Sequence, residues 1–289
     1  MKILILGKNG MLGHIVDNYF TELGHEVIGT VNSGEGIFYD AFTNQEGLEE
    51  IIKEHKPNVV INCIGILNQI CEENKPLAVK VNSLLPHYID SLSAEYNFKF
   101  VHVSTDCVFE GTIGNYDETI LADATSFYGR SKALGEINND RNLTLRTSIV
   151  GPDANPKGIG LFQWFMNQQI ETGGYTKVLW TGVTTIQLAK AMEKAIENNL
   201  TGLHHVVNNE TISKYDLLVL FKEIFNKDII VNENPNVVSE KTLTRTEKSF
   251  DLETPSYKQM VEDMRDWVLA HQDLYPELLT KCNLGGITK

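Results

Sequence analysis

The chain has 289 residues, 42% of them hydrophobic and 22% charged, with a formal net charge of -13 and a pI near 5.1. That is ordinary for a globular protein and long enough for one large α/β domain with a smaller companion. The negative balance disfavours general nucleic-acid or anionic-membrane binding, so an anionic ligand has to be met by local positive groups.

The opening apolar run, Ile3-Leu-Ile-Leu6, stops at Gly7 and is too short for the hydrophobic part of a signal peptide. No stretch approaches the roughly 20 apolar residues of a membrane span. Cys63, Cys71, Cys107 and Cys282 form no Cys-x-x-Cys pair and no metal-ligand spacing. A cytoplasmic chain with reduced thiols and no metal is expected.

Lys2 to Leu6 reads as a strand, and Gly7-Lys-Asn-Gly10-Met-Leu-Gly13 follows at once. Leu12, Ile15, Val16, Tyr19, Phe20 and Leu23 then recur at helical spacing, and Glu26 to Thr30 is a second strand. Glycines placed between strand and helix let the backbone turn tightly and approach a pyrophosphate held at the helix N-terminus. Gly7, Lys8, Asn9, Gly10, Met11, Leu12 and Gly13 are therefore candidate cofactor contacts, although the spacing differs from Gly-x-Gly-x-x-Gly. NAD-specific folds place a carboxylate after the second strand. Here Thr30-Val-Asn32-Ser33 stands there, with Lys8 in the glycine loop and no acid until Glu35. Thr30, Asn32 and Lys8 thus point to NADPH, with NADH open if Glu35 folds back. Asp40 is either an adenine contact or a surface-turn aspartate.

Gly47 to His55 reads as a helix and Asn58 to Ile66 as a continuous apolar strand. Its end, Cys63-Ile64-Gly65, is small enough for a cofactor to lie against. Pro86 in the next helix removes one N–H and frees the carbonyl of Asn82. Either the helix only kinks there, or that carbonyl holds a water in a proton path near Lys132.

Phe100 to Val103 is a buried strand, and Ser104 and Thr105 stand at its end, the ligand edge of an open α/β sheet. Ser126 then caps a helix carrying Tyr128 and Lys132 four apart, hence on one face. An ammonium beside a phenol draws its pKa from roughly 10 towards neutrality, and Thr105 could fix a carbonyl oxygen beside it. In isolation Tyr-x-x-x-Lys is as readily a chance pair on a solvated helix. The glycine loop and the strand-end hydroxyls, in order upstream, favour proton transfer.

The chain resembles an extended short-chain dehydrogenase/reductase of the dTDP-4-dehydrorhamnose reductase family. The matching pieces are Gly7-x-x-Gly10-x-Leu12-Gly13, Asn82-x-x-x-Pro86, Ser104-Thr105-Asp106-x-Val108-Phe109-x-Gly111, Tyr116-Asp-Glu118-Thr, Tyr128-Gly-x-x-Lys132-x-x-x-Glu136 and Leu145-Arg146-Thr147-Ser148. The resemblance implies a Rossmann-type doubly wound parallel sheet with a smaller C-terminal α/β substrate domain. It implies Thr105, Tyr128 and Lys132 as catalytic residues and NAD(P)H-dependent reduction of a 4-keto-6-deoxy nucleotide sugar. Dinucleotide binding is expected over 1–150 plus about 186–208, and substrate binding over about 151–185 plus 209–289. Partners are the nucleotide sugar and, at most, a second copy of the chain.

Further along, Gly160 to Ile170 reads as an amphipathic helix whose Trp164 and Phe165 are either core or a base-stacking platform. Trp180-Thr-Gly-Val-Thr184-Thr185 matches a family loop, the helix Ile186 to Asn198 packs back on the first domain, and Gly202 to Asn208 is a late strand of the main sheet. His204 and His205 point to opposite faces of it. Ser213 caps another helix. Arg245-Thr246-Glu-Lys-Ser249 resembles the family's Arg-Pro-x-x-Ser, with Arg245 as a diphosphate clamp. Candidate substrate contacts are thus Ser104, Thr105, Cys107, Trp180, Thr184 and Arg245. Alternation along an extended strand would put Cys107 beside Thr105. Related GDP-fucose synthases use a cysteine there for epimerisation; the alternative is a small packing residue and a pure reductase. An epimerase or dehydratase of the same superfamily, or a non-catalytic regulatory subunit, are the competing readings.

Overall fold

The computed structural model describes residues 1–246 and 250–282. In chain order the first half runs β1 (Lys2–Leu6), α1 (Gly13–Glu22), β2 (Glu26–Val31), β3 (Ile37–Phe38), α2 (Gly47–His55) and β4 (Val59–Asn62). It continues with α3 (Asn68–Glu73), α4 (Lys75–Ala78), α5 (Leu85–Tyr96), β5 (Lys99–Thr105), α6 (Phe127–Leu134) and β6 (Leu143–Thr147). The second half is β7 (Ile149–Val150), α7 (Leu161–Asn167), β8 (Glu171–Trp180), β9 (Val183–Thr184), α8 (Thr185–Glu197) and β10 (Gly202–His205). After these come β11 (Ile212–Ser213), α9 (Lys214–Ile224), β12 (Ile230–Glu240), α10 (Tyr257–Ala270) and α11 (Pro276–Lys281). No helix among the described residues is long and apolar enough to cross a membrane.

Seven parallel strands form the central sheet in the order β10-β6-β5-β4-β1-β2-β3. The expected Rossmann-type winding is therefore observed. Strand alternation explains why these apolar runs are buried on both faces. Ile3 and Ile5 of β1 join Val59, Ile61, Val101, Leu143 and Leu145 in one core. Leu4 and Leu6 join Val60 and Phe100 in the core on the opposite face, with α2 and α5. The chain winds outward from β1 to β3 and then returns to β4 on the other flank of β1. That reversal opens a crevice beyond the carboxyl ends of β1 and β4, where such sheets bind ligands.

A second, three-stranded sheet has the order β11-β8-β12. Its helices share the first core, since Phe162, Phe165, Leu217, Phe221, Tyr257 and Met260 belong to the same cluster as Ile3 and Ile5. Phe165 is thus core, whereas Trp164 is 40% exposed. β10 joins the main sheet as expected.

Two elements differ from the sequence reading. The strand expected over 58–66 ends at Asn62, because its side-chain Oδ1 accepts the Ile64 N–H at 3.0 Å and turns the chain. Around Pro86, residues 79–84 widen into a π-helical turn. The Asn82 carbonyl abuts the end of α6: a Cβ on Gly135 would lie 2.0 Å from it.

Candidate active site

The glycine loop leaves β1 through Gly7 at φ +79°, a left-handed conformation that favours glycine. Gly10 N donates to Gly7 O at 3.1 Å, and a Cβ on Gly13 would come 2.1 Å from that same oxygen. The loop is pinned to β2, since the Thr30 hydroxyl accepts from Gly7 N and Lys8 N donates to Thr30 O. Thr30 is buried there and acts on the loop, while Asn32 is exposed beyond it. The Lys8 stem lies across Gly29, where a Cβ would meet its Cδ at 2.2 Å, and runs towards Gly36. Asn9 Nδ2 donates to Ser33 O. No side chain caps α1; His14 N donates back to Gly10 O, which ties the helix start to this loop. The close backbone approach and uncapped helix fit a dinucleotide pyrophosphate. Asp40 does not reach this cradle. Its carboxylate accepts from Phe42 N, Thr43 N and the Thr43 hydroxyl, bonds that hold its pKa below the usual range. Its carboxylate thus shapes the turn after β3.

A cavity of about 470 Å³ joins this loop to the strand-end residues. Gly10, Met11, Leu12, Cys63, Ile64 and Gly65 line one end, and Ser104, Thr105, Asp106, Cys107, Tyr128 and Lys132 the other. Ser126 accepts from Gly129 N and starts α6, as its position before the helix implies. Burial pushes the Tyr128 phenol well above its ordinary pKa, Cys107 adds to this, and the Thr105 hydroxyl acts against it. Lys132 donates to Val103 O at 2.6 Å and lies 3.4 Å from His102 Nε2. Burial brings its ammonium down to about 8. Lys132 therefore faces the strand, and where a lowering of the phenol pKa was expected, burial raises it. Burial and the Lys132 charge hold His102 neutral.

Asn82 serves this site through its side chain. Its Oδ1 accepts from Ile66 N, and its Nδ2 donates to Ile66 O and the Ser131 hydroxyl, locking α6 against the loop after β4. The Asn82 carbonyl lies against Gly135.

Cys107 lines the cavity, but not by strand alternation. The Thr105 hydroxyl accepts from Cys107 N and opens a 3-10 turn over 106–108, which ends the extended chain. Burial pushes the thiol up to about 12. Ser104 is engaged, donating to Glu136 Oε1 at 2.6 Å. Thr184 is buried, and its hydroxyl caps α8 by accepting from Gln187 N. Trp180 is buried beneath Lys214, whose ammonium stands 4.3 Å from its ring centroid. Arg245 lines a separate polar cavity of about 360 Å³, paired with Asp251 and bonded to Asn209 Oδ1. The Asp251 partner is 61% exposed, so the pair is a screened one. The rest of the expected motif, 247–249, lies outside the described residues.

Sequence reasoning gave no role to Glu136 and Arg146, although both stood in matching motifs. They form a buried ion pair at 2.6 Å, extended by Arg146 Nη1 to His205 Nε2 at 3.0 Å. It also passed over Lys214, whose only signal was its place just after the Ser213 cap. No cluster of candidate metal ligands occurs among the described residues.

A family model described as "RmlD substrate binding domain" matches residues 1–267. The chain is 29% identical over 253 residues to a probable low-salt glycan biosynthesis reductase of Haloferax volcanii, covering 81% of this chain and 83% of that one. It is 26% identical over 296 residues to a dTDP-4-dehydrorhamnose reductase of Aggregatibacter actinomycetemcomitans, covering 91% and 98%. The crystal structure of a dTDP-4-dehydrorhamnose reductase from Clostridium acetobutylicum superposes with a TM-score of 0.78 at 24% identity, over 93% of this chain and 100% of that one. That last likeness is one of fold.

Proposed function

The chain belongs to the RmlD substrate binding domain family, and from that premise we propose that it reduces the 4-keto group of a 6-deoxy nucleotide sugar with NAD(P)H. The observation that carries the reading is the single cavity in which the glycine loop and Thr105, Tyr128 and Lys132 meet. Dinucleotide binding falls to 1–150 with about 186–208, and sugar binding to about 151–185 with 209–289.

Gly7, Gly10 and Gly13 hold the pyrophosphate, and Cys63 to Gly65 flank the nicotinamide half. The bound dinucleotide supplies hydride to the carbonyl carbon. The Thr105 hydroxyl, which donates to Asp106 Oδ1 at 3.1 Å in this structure, turns that proton to the substrate oxygen and fixes it beside the phenol. Tyr128, kept protonated by burial, gives its proton to that oxygen as charge develops on it. Lys132, anchored on Val103 O, holds a positive charge below the site that favours the resulting phenolate. Cys107 keeps its proton at neutral pH and so lacks the thiolate that carbon-acid chemistry needs. The reading is a reductase without epimerase activity.

A panel of 4-keto nucleotide sugars, followed by loss of reduced-nicotinamide absorbance, tests it. The same incubation in deuterated water reports on epimerisation: deuterium beside the carbonyl that disappears in Cys107→Ser would remove the pure-reductase reading. Dinucleotide retained tightly on purification, with no consumption of added NAD(P)H, would favour a dehydratase or epimerase.

A further inference from the structure

The proposed substrate carries a diphosphate, and the residue expected to meet it, Arg245, is paired with Asp251 and lines a cavity separate from the reaction cavity. Two other cations approach the reaction cavity from the three-stranded-sheet side. Lys214 opens α9 directly after β11, which pairs with the end of β8 through Ile212 and Trp180. Its ammonium rests over the Trp180 ring at 4.3 Å. It makes no hydrogen bond or ion pair among the described residues, yet lies within electrostatic reach of Asp106 and Cys107, which line the cavity. Beneath it the Trp180 Nε1–H is buried and also lacks a partner. Lys241 follows β12. Its stem lies over Gly111, where a Cβ would meet Lys241 Cγ at 2.6 Å, and its charge reaches the Cys107 thiol from there. It too has no ion pair among the described residues.

In a chain of net charge -13, two ammonium groups without a direct ion pair among the described residues, opposed only at longer range by Asp106 and Glu110 and both within electrostatic reach of the cavity residue Cys107, suit an anion. Lys214 is half-buried, and taking a cation out of water is costly. Burial has already brought Lys214 down to about 8, and Asp106 and Cys107 only partly oppose this. An arriving phosphate would restore the ammonium, and the Trp180 face would support it from behind.

We propose that Lys214 and Lys241, and not Arg245, form the clamp that binds the diphosphate of the substrate. This rests on the nucleotide-sugar reading above. The aromatic backing also orients the Lys214 ammonium, so the two lysines set where the sugar hangs relative to Tyr128.

The test titrates the full-length chain with dTDP and UDP by calorimetry, in parallel with NAD(P)H binding followed by fluorescence. Lys214→Met and Lys241→Met each weaken nucleoside diphosphate binding by about 10–100-fold, the scale of a hydrogen bond to a charged group. Both leave NAD(P)H affinity unchanged, which shows that the fold is intact. Near pH 8, wild-type binding takes up protons, seen as a dependence of the heat on buffer ionisation, and Lys214→Met abolishes that uptake. Arg245→Met has a smaller effect than either lysine change. The proposal is overturned if both lysine variants bind like wild type, or if Arg245→Met is the most damaging of the three. A wild-type chain that binds NAD(P)H but neither nucleoside diphosphate would instead take down the nucleotide-sugar reading itself, and the clamp with it.

Discussion

Glu136→Ala offers a sharp test of how the strand ends are held. Glu136 accepts from the Ser104 hydroxyl at 2.6 Å, and from Arg146 Nε at 2.8 Å and Nη2 at 2.6 Å. The two charged side chains are 10% and 4% exposed. Arg146 passes the network on to neutral His205, whose Nδ1 reaches Thr244 O at 2.7 Å. Truncating Glu136 leaves a guanidinium buried without its counter-ion, which costs roughly 3–5 kcal/mol. At about 2–4 °C per kcal/mol for a chain of this size, Tm falls by about 6–20 °C in a thermal melt. Glu136 also holds the Lys132 pKa up, so any alkaline limb of the activity profile moves to lower pH. Replacing both partners, Glu136→Leu with Arg146→Met, recovers part of the loss, and only part, because Ser104 and His205 still lose their bonds. A Glu136→Ala chain melting within about 2 °C of wild type would refute the reasoning, since that is the scale of an ordinary surface substitution.

Tyr128→Phe lowers kcat by about 10²–10⁴-fold and leaves NAD(P)H binding intact; retention of more than about a tenth of kcat would mean another group is the acid. Lys132 titrates at about 8, so its charge dominates below that pH and is lost above it: kcat/KM falls as pH rises past about 8, and Lys132→Arg, which keeps its charge, removes that limb. Stability runs the other way, because the unfolded chain holds the Lys132 proton up to its ordinary value of 10.5; wild type gains on Lys132→Met as pH rises from about 8 to 10.5, measured by denaturant melts. NADPH is preferred over NADH, because the Lys8 stem runs along β2 towards the Ser33–Gly36 turn, where a 2′-phosphate would lie; a ratio of kcat/KM favouring NADH by about tenfold, some 1.4 kcal/mol, would overturn that.

What the sequence showed clearly was local. A five-residue apolar strand, a glycine loop and a 3.6-period helix specify β1 to α1 without help from the rest of the chain, and Ser126 before Phe127 specifies the start of α6. β8 and β12 were not legible for equally local reasons. Gly173 and Gly174 interrupt the alternation of β8, and Pro235 sits where the register of β12 shifts. With one sheet face open to solvent, neither strand has the continuous apolar run that marked β1, β4 and β5.

Several candidate side chains turn out to have local partners that residue type alone did not announce. Thr184 stands where a substrate contact was expected, but the chain enters α8 there and the hydroxyl is consumed by Gln187 N. Cys107 obeys alternation only if the strand continues, and the Thr105 hydroxyl ends it by capturing Cys107 N. Arg245 carries the right fork for a diphosphate, yet Asp251, six residues on, closes that fork. Lys214 is the converse: an unremarked residue in sequence whose ammonium the fold sets over Trp180, without a direct ion pair among the described residues, because β11 pairs with the end of β8. A candidate list drawn from residue type alone therefore overstates polar groups with local partners and overlooks cations whose surroundings are assembled only by the fold.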